Sequence, residues 1–149
     1  AVVCAGAKSI LDLPLTLEVL ETNGVPVLAV SQDGFPAFYS RQSGLKADFR
    51  LDAPADIAAF LRTHWQLGLA SGVVVANPVP PEHEIPAAEV EQWIAQALQE
   101  AAAQGVAGKA STPFMLKRIA ELSSGRSLAT NIALVKHNAV LGAKLALSL

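Results

Sequence analysis

The sequence predicts a layered α/β/α domain with a mostly parallel sheet and a helical C-terminal part. Over residues 1–77, short apolar runs of strand length alternate with segments of helical periodicity, which is the pattern of βαβ units and therefore of parallel strands. Beyond residue 86 the apolar periodicity is helical only. A chain of 149 residues has the size of one ordinary domain and shows no internal repeat, so we predict a single domain over residues 1–149.

The first βαβ unit occupies residues 1–30. Ala1 to Cys4 is predicted to be a short buried strand, and a turn of small residues follows it. Asp12 is a suitable N-cap for the next helix, and the pair Asn23-Gly24 is a typical C-terminal cap. The apolar run 25–30 then predicts the second strand.

Two more strands and a helix are predicted before residue 78. Residues 47–52 alternate between apolar and polar side chains, like a strand with one wet face. Asp52 is predicted to cap a helix, and residues 72–77 form another buried strand that ends at Asn77. The apolar stripe of that helix, at helical spacing, consists of Ile57, Phe60, Leu61 and Trp65.

Two loops and three helices make up the remainder. Loop 31–44 carries three aromatic residues, which form either a hydrophobic plug or a substrate wall or subunit contact. They are Phe35, Phe38 and Tyr39. Loop 78–86 holds four prolines and is interpreted as a lid or a linker. The first helix is predicted over residues 87–104, the second begins after an N-cap at Thr112, and the third begins near Ser127.

Composition excludes some partners and indicates others. Charged residues are only 16% of the chain, against about a quarter in a typical soluble domain, so we expect another subunit or further chain to cover part of the surface. A net charge of −2 gives no reason to expect a nucleic-acid partner. The polar residues within the apolar stretch 128–149 argue against a membrane span. A lone cysteine, Cys4, favours a reducing compartment, and we expect the cytoplasm.

Lys8 is the leading catalytic candidate. It lies in a small-residue turn at the carboxyl end of a predicted strand, where open α/β sheets bind ligands. A desolvated lysine presents a neutral, nucleophilic amine suited to Schiff-base chemistry; alternatively, Lys8 extends along a sheet edge or binds a helix terminus. Asn77 ends a parallel strand in the same way, so it is expected to face the same crevice and to bind substrate.

Other chemistries find little support in the residues. The turn at Lys8 lacks the first glycine of a phosphate-binding loop, and no dinucleotide fingerprint is present. No Ser/His/Asp set and no cluster with metal-ligand spacing stands out, so we expect no metal ligands in this chain.

The segment Val3-Cys-Ala-Gly-Ala-Lys-Ser-Ile-Leu-Asp12 resembles the lysine segment of the pseudouridine-5'-phosphate glycosidases, a family that includes the indigoidine synthase A-like proteins. Four further stretches match this family in the same order along the chain. They are residues 33–39 together with 43–45, residues 74–80, residues 108–114 and residues 130–135. The resemblance covers essentially the whole chain but only the C-terminal half of the family. Because the chain has no initiator methionine and begins inside a strand, we expect a fragment or a processed chain.

The resemblance implies reversible cleavage of the C–C glycosidic bond of pseudouridine 5'-phosphate to uracil and ribose 5-phosphate. Such a bond has no leaving oxygen for paired carboxylates to protonate. Opening the ribose and holding its anomeric carbon as an imine gives the uracil carbon a way to leave. Lys8 matches the imine-forming lysine, and Asn131 matches an active-site asparagine.

The resemblance also implies a divalent metal, manganese, and a homotrimer. The metal ligand and the general acid would lie in the N-terminal half of the family. Two alternatives remain open: an accessory role in indigoidine-type pigment metabolism, or an inactive fragment that only assembles with its N-terminal half.

Overall fold

The computed structural model describes residues 1–8 and 10–149; Ser9, which falls in the lysine segment, lies outside the described residues. Short 3-10 turns occur at Pro81–His83 and Gly108–Ala110. Within the described residues, the strands are β1 Val2–Cys4, β2 Val27–Val30, β3 Phe49–Leu51 and β4 Val74–Ala76, and the helices are α1 Leu13–Thr22, α2 Pro54–Gln66, α3 Ala87–Ala103, α4 Ser111–Leu122 and α5 Arg126–Ser148.

All four strands belong to one parallel sheet in the order β1-β4-β2-β3. Val75 pairs with Val3 on one side and with Leu28 on the other, so β4 and β2 are the inner strands. The first strand was predicted to be buried, and this is wrong: β1 lies at an edge of this sheet, and Val2 is 61% exposed. The parallel α/β prediction is confirmed.

Helices cover both faces of the sheet. One face packs on α2 and α5, and the other packs on α1 and the loop after β2. This follows from the topology, because the crossover from β1 to β2 and the crossover from β3 to β4 step in opposite directions along the sheet. The first cluster contains Leu28, Val30, Val75, Ile57, Leu61, Leu141 and Leu145, and the second contains Val27, Phe35, Ala76, Leu13, Leu17 and Leu20.

The C-terminal part is helical, as predicted. Helices α3 and α4 pack against each other in a cluster of their own, which also receives Tyr39 and Ile85. Among the described residues, no helix is both long enough and apolar enough to span a bilayer. The buried helical residues of this cluster are Val90, Ala97, Ala101, Met115 and Ile119.

The predicted helix caps have mixed outcomes. Asp12 caps α1 as predicted, because its Oδ1 accepts a hydrogen bond from the Leu15 N–H at 2.9 Å. Asp52 does not cap α2, which begins two residues later at Pro54. Its carboxylate instead accepts from the Arg50 Nε at 2.9 Å, and this hydrogen bond holds the pKa of Asp52 below its usual value.

The cap predicted at Thr112 is also misplaced. Helix α4 begins at Ser111, so Thr112 lies in the first turn and Ala110 occupies the cap position. The preceding 3-10 turn runs directly into α4, which leaves no extended residue at which a side-chain cap could form.

Candidate functional site

Lys8 lies where the sequence placed it, just beyond the carboxyl end of β1. The chain leaves the strand through Ala5, which is 1% exposed, and turns at Gly6 with φ +84°. The side chain of Lys8 itself is exposed. The desolvation expected for this lysine is therefore not provided by the described residues, because the turn projects from an edge strand.

The Lys8 turn lies directly against the loop that follows β2. Gly6 and Ala37 form an isolated antiparallel bridge, and the Phe38 N–H donates to the Ala5 carbonyl at 3.0 Å. A methyl group on Gly6 would lie 2.8 Å from the carbonyl carbon of Pro36 and closer still to its oxygen. Only glycine fits this approach, so the loop fixes the path of the chain into Lys8.

The three aromatic residues of the loop have different environments. Phe35 and Tyr39 are 1% and 3% exposed, which confirms the hydrophobic-plug interpretation for these two. Phe38 is half-buried and packs edge-on against Tyr39 with a centroid distance of 4.8 Å. Burial raises the pKa of Tyr39 above its usual value, so this phenol stays protonated at neutral pH.

Asn77 is held inside the protein by helix α5. Its side chain is 2% exposed, and its Nδ2 lies 3.1 Å from the Asn138 Oδ1 and 3.1 Å from the His137 Nδ1. Its backbone N–H donates to the Cys4 carbonyl at 2.7 Å. Asn77 therefore ties the end of β4 both to β1 and to α5.

A crevice of about 260 Å³ with both polar and apolar lining residues opens beside Asn77 at the carboxyl ends of β2, β3 and β4. Its lining includes Ser31, Asp52 and Lys144, but neither Lys8 nor Asn131. The expectation that Lys8 and Asn77 face one crevice is therefore not met, because Lys8 follows the edge strand β1 whereas this crevice lies at the ends of β2, β3 and β4. Substrate binding by Asn77 stays a prediction.

Asn131 lies in the first half of α5, half-buried. One turn later on the same helix face, Leu134 packs with Ala5 and Val79 in a small buried cluster. Because Ala5 leads into the Lys8 turn, α5 brings Asn131 to the same end of the sheet as Lys8. The fold thus places the two predicted catalytic residues on neighbouring elements.

The proline-rich loop 78–86, interpreted as a lid or a linker, is bound to the rest of the domain by side chains that lie outside it. Arg41 Nη1 donates to the Val79 carbonyl and Ser40 Oγ to the Ile85 carbonyl, each at 2.7 Å. Thr130 Oγ1, next to Asn131, donates to the His83 carbonyl at 2.9 Å.

Sequence reasoning missed these three donors, Ser40, Arg41 and Thr130. A signal was nevertheless present in the loop itself. Four of its nine residues are prolines, which have no N–H, so the loop cannot satisfy all of its own carbonyls and needs further donors from elsewhere.

The described residues do not form a metal site. Among them, no three His, Cys, Asp or Glu side chains are grouped closely enough to hold an ion. The manganese implied by the resemblance therefore does not fit this part of the chain, and no chemical step is assigned to it.

Replacing Asn77 with alanine is expected to lower the free energy of unfolding by about 1–3 kcal/mol, because it removes a buried hydrogen-bonding group and leaves Asn138 and His137 without it. Chemical denaturation measures this change. The matched control is Asn23→Ala on the exposed end of α1, where the side chain bonds the Val19 carbonyl; its expected cost is below about 1 kcal/mol. Equal losses in the two variants would contradict the bridging role of Asn77.

The parallel sheet between helices, with Lys8 and Asn77 at the carboxyl ends of two strands, is an open α/β domain, the class in which ligands bind at that edge of the sheet. The family profile described as "Indigoidine synthase A like protein" matches residues 1–148. The chain belongs to the indigoidine synthase A-like family.

Relatives and solved structures agree with this assignment. A pseudouridine-5'-phosphate glycosidase of Cupriavidus pinatubonensis is 62% identical over 149 residues, which is 100% of this chain and 48% of that protein. The crystal structure of an indigoidine synthase A-like protein from Thermotoga maritima matches with a TM-score of 0.87 and 36% identity over 97% of this chain and 47% of its own.

A second solved structure, the prealnumycin C-glycosynthase in complex with ribulose 5-phosphate, matches with a TM-score of 0.86 and 34% identity over 97% of this chain and 48% of its own. The chain therefore spans about half the length of the curated relatives and solved structures that it matches.

Proposed function

We propose that this chain is the lysine-bearing part of a pseudouridine-5'-phosphate glycosidase, which reversibly converts pseudouridine 5'-phosphate to uracil and ribose 5-phosphate. The observation that carries the proposal is the 62% identity, over the whole chain, to a relative with that name. The position of Lys8 at the carboxyl end of a parallel strand supports it, since ligands bind there in open α/β sheets.

The proposed chemistry uses the amine of Lys8 as a nucleophile. In the cleavage direction the amine bonds to the anomeric carbon of the ribose while the bond from that carbon to the ring oxygen breaks, which opens the ring. The ring oxygen takes up a proton and the nitrogen loses one. Its lone pair then forms the carbon–nitrogen double bond as the carbon–carbon bond to uracil breaks, and the displaced electron pair enters the uracil ring, whose carbon takes up a proton. Water hydrolyses the imine and releases ribose 5-phosphate, which restores the amine of Lys8.

Asn131 is proposed to bind the uracil edge or the ring-opened sugar. Its side-chain amide offers two donors and an acceptor, which match the alternating carbonyl and N–H groups of a pyrimidinedione. Its position on α5, one turn from the cluster that contains Ala5, supports a role beside Lys8.

The exposure of Lys8 leads us to propose that further chain or another subunit covers it. Such a cover would desolvate the amine, which favours its neutral, nucleophilic form. The outer face of α1 and the turn before it support this, because Leu11 in the turn and Leu15 and Val19 on the helix are 52%, 55% and 52% exposed. We extend the proposal to a homotrimer in the cytoplasm, with manganese bound by residues outside this chain.

Borohydride trapping tests the proposal. The natural protein, with whatever further chain accompanies residues 1–149, is incubated with ribose 5-phosphate and manganese, reduced with borohydride and mapped by peptide mass spectrometry. A reduced sugar adduct confined to the peptide that contains Lys8 is the expected result. A folded protein that forms no adduct, or forms it at another lysine, would overturn the mechanism.

The likeness to a C-glycosynthase favours one second candidate, in which the physiological reaction joins a sugar phosphate to an acceptor other than uracil. Product analysis separates the two. Release of uracil from pseudouridine 5'-phosphate supports the glycosidase, whereas trapping at Lys8 without any uracil release supports the synthase.

A further inference from the structure

Phe38 has a backbone conformation that an aromatic residue rarely adopts. Its φ is +64°, in the left-handed region, where a side chain with a Cβ is disfavoured. The conformation is held by the hydrogen bond from its N–H to the Ala5 carbonyl and by the bridge between Gly6 and Ala37. Backbone strain of this kind persists only where the surrounding structure enforces it, and it is concentrated at functional sites.

Phe38 packs against residues from both elements that carry the predicted catalytic residues. It packs against the buried cluster of Ala5, Val79 and Leu134. Ala5 precedes Lys8 by three residues, and Leu134 follows Asn131 by one helical turn. The ring is therefore anchored beside both catalytic elements.

The exposure of the ring distinguishes it from its aromatic neighbours. Phe35 and Tyr39 are almost completely buried and account for the packing beneath the loop. Phe38 also packs against the cluster formed by α3 and α4, but the residue is only half-buried. It is therefore the aromatic residue of this loop with surface left to contact a ligand.

We propose that Phe38 contacts the substrate and supplies an apolar face on which the uracil ring packs. This inference rests on the proposed function and adds the residue that recognises the base. A planar pyrimidine presents a polar edge and a flat π face, and an aromatic side chain stacks on the face whatever bonds the edge makes. In this arrangement Asn131 hydrogen-bonds the edge of the uracil ring, Phe38 packs on its face, and Lys8 binds the sugar.

The test separates base binding from sugar binding in the synthesis direction, with the natural protein. Phe38→Leu is expected to raise the KM for uracil about tenfold, because loss of stacking on one base has an effect of that order. The KM for ribose 5-phosphate and the yield of borohydride adduct at Lys8 are expected to stay unchanged. Phe38→Tyr keeps an aromatic face and is expected to retain the uracil KM of the parent protein.

Phe35→Leu is the matched control, since it removes a buried ring from the same loop. It is expected to lower thermal stability without raising the KM for uracil relative to the KM for ribose 5-phosphate. If Phe38→Leu does not fold, Phe38→Met makes the same comparison with a side chain closer in volume.

The outcomes distinguish the inference from the function on which it rests. Normal trapping of ribose 5-phosphate together with an unchanged uracil KM in the leucine or methionine variant overturns the role of Phe38 alone. Equal changes in both KM values, as a structural defect would cause, overturn it as well. A parent protein that traps no ribose 5-phosphate overturns the proposed function and this inference together.

Discussion

Substitution of Lys8 by arginine is expected to abolish cleavage of pseudouridine 5'-phosphate, with a loss in kcat of at least about 1,000-fold, because a guanidinium remains protonated and cannot form an imine. The fold should be unaffected, since the Lys8 side chain is exposed. Chromatographic measurement of the uracil released gives kcat. The midpoint temperature of thermal unfolding is expected to lie within about 2 °C of that of the parent protein.

The control for this substitution is Lys117→Arg, at an exposed lysine on α4. This variant is expected to retain full activity, so a loss there would show that activity responds to lysine replacement in general. A Lys8→Arg protein that still forms the borohydride adduct and still releases uracil would assign the imine to another residue.

Substitution of Gly6 by alanine is expected to lower the free energy of unfolding by about 3 kcal/mol, because a left-handed backbone and a clash with fixed backbone atoms each cost about 1–2 kcal/mol or more. The new methyl group would meet the carbonyl group of Pro36, which cannot move as a side-chain end could. Activity should fall further than stability alone requires, since Lys8 lies two residues away. Denaturant unfolding and kcat on the folded fraction measure the two effects.

Gly24→Ala is the matched control for Gly6. Gly24 has a similar φ of +62°, but nothing lies within 4 Å of an added methyl group. Its substitution is expected to cost about 1 kcal/mol through backbone strain alone and to leave kcat unchanged. If the two variants lost the same stability, the close approach between the Lys8 turn and Pro36 would not be a constraint on the fold.

The order of strands and helices could be predicted because its signals are local. The apolar run of β2 and the cap at Asp12 are each recognisable within a few residues, and both occur in the structure. The exposure of β1 could not be predicted in this way, because it depends on which strand becomes its neighbour. The predicted helix cap at Asp52 was also wrong, because the carboxylate accepts a hydrogen bond from Arg50 instead.

Only part of the candidate site could be predicted from the sequence. Lys8 at a strand end could be proposed from the chain's own residues, whereas Asn131 was implied only by the family resemblance; the fold places the two on neighbouring elements. The contacts of Asn77 with Asn138 and His137 join residues that are about 60 positions apart. No periodicity or motif encodes such a contact, since it arises only when α5 packs on the sheet.

The strand order has a consequence for how the protein folds during synthesis. In the described sheet, β1 pairs only with β4. The backbone hydrogen bonds of β1 therefore cannot form until the segment around Val74 has been synthesised. A nascent chain that ends before β4 can build β2 and β3 but leaves β1, with Lys8 behind it, without a partner. Long-range parallel pairing of this kind makes folding slow. Until β4 is in place, the turn that carries Lys8 has only its contacts with the loop after β2, so it acquires its full set of contacts late.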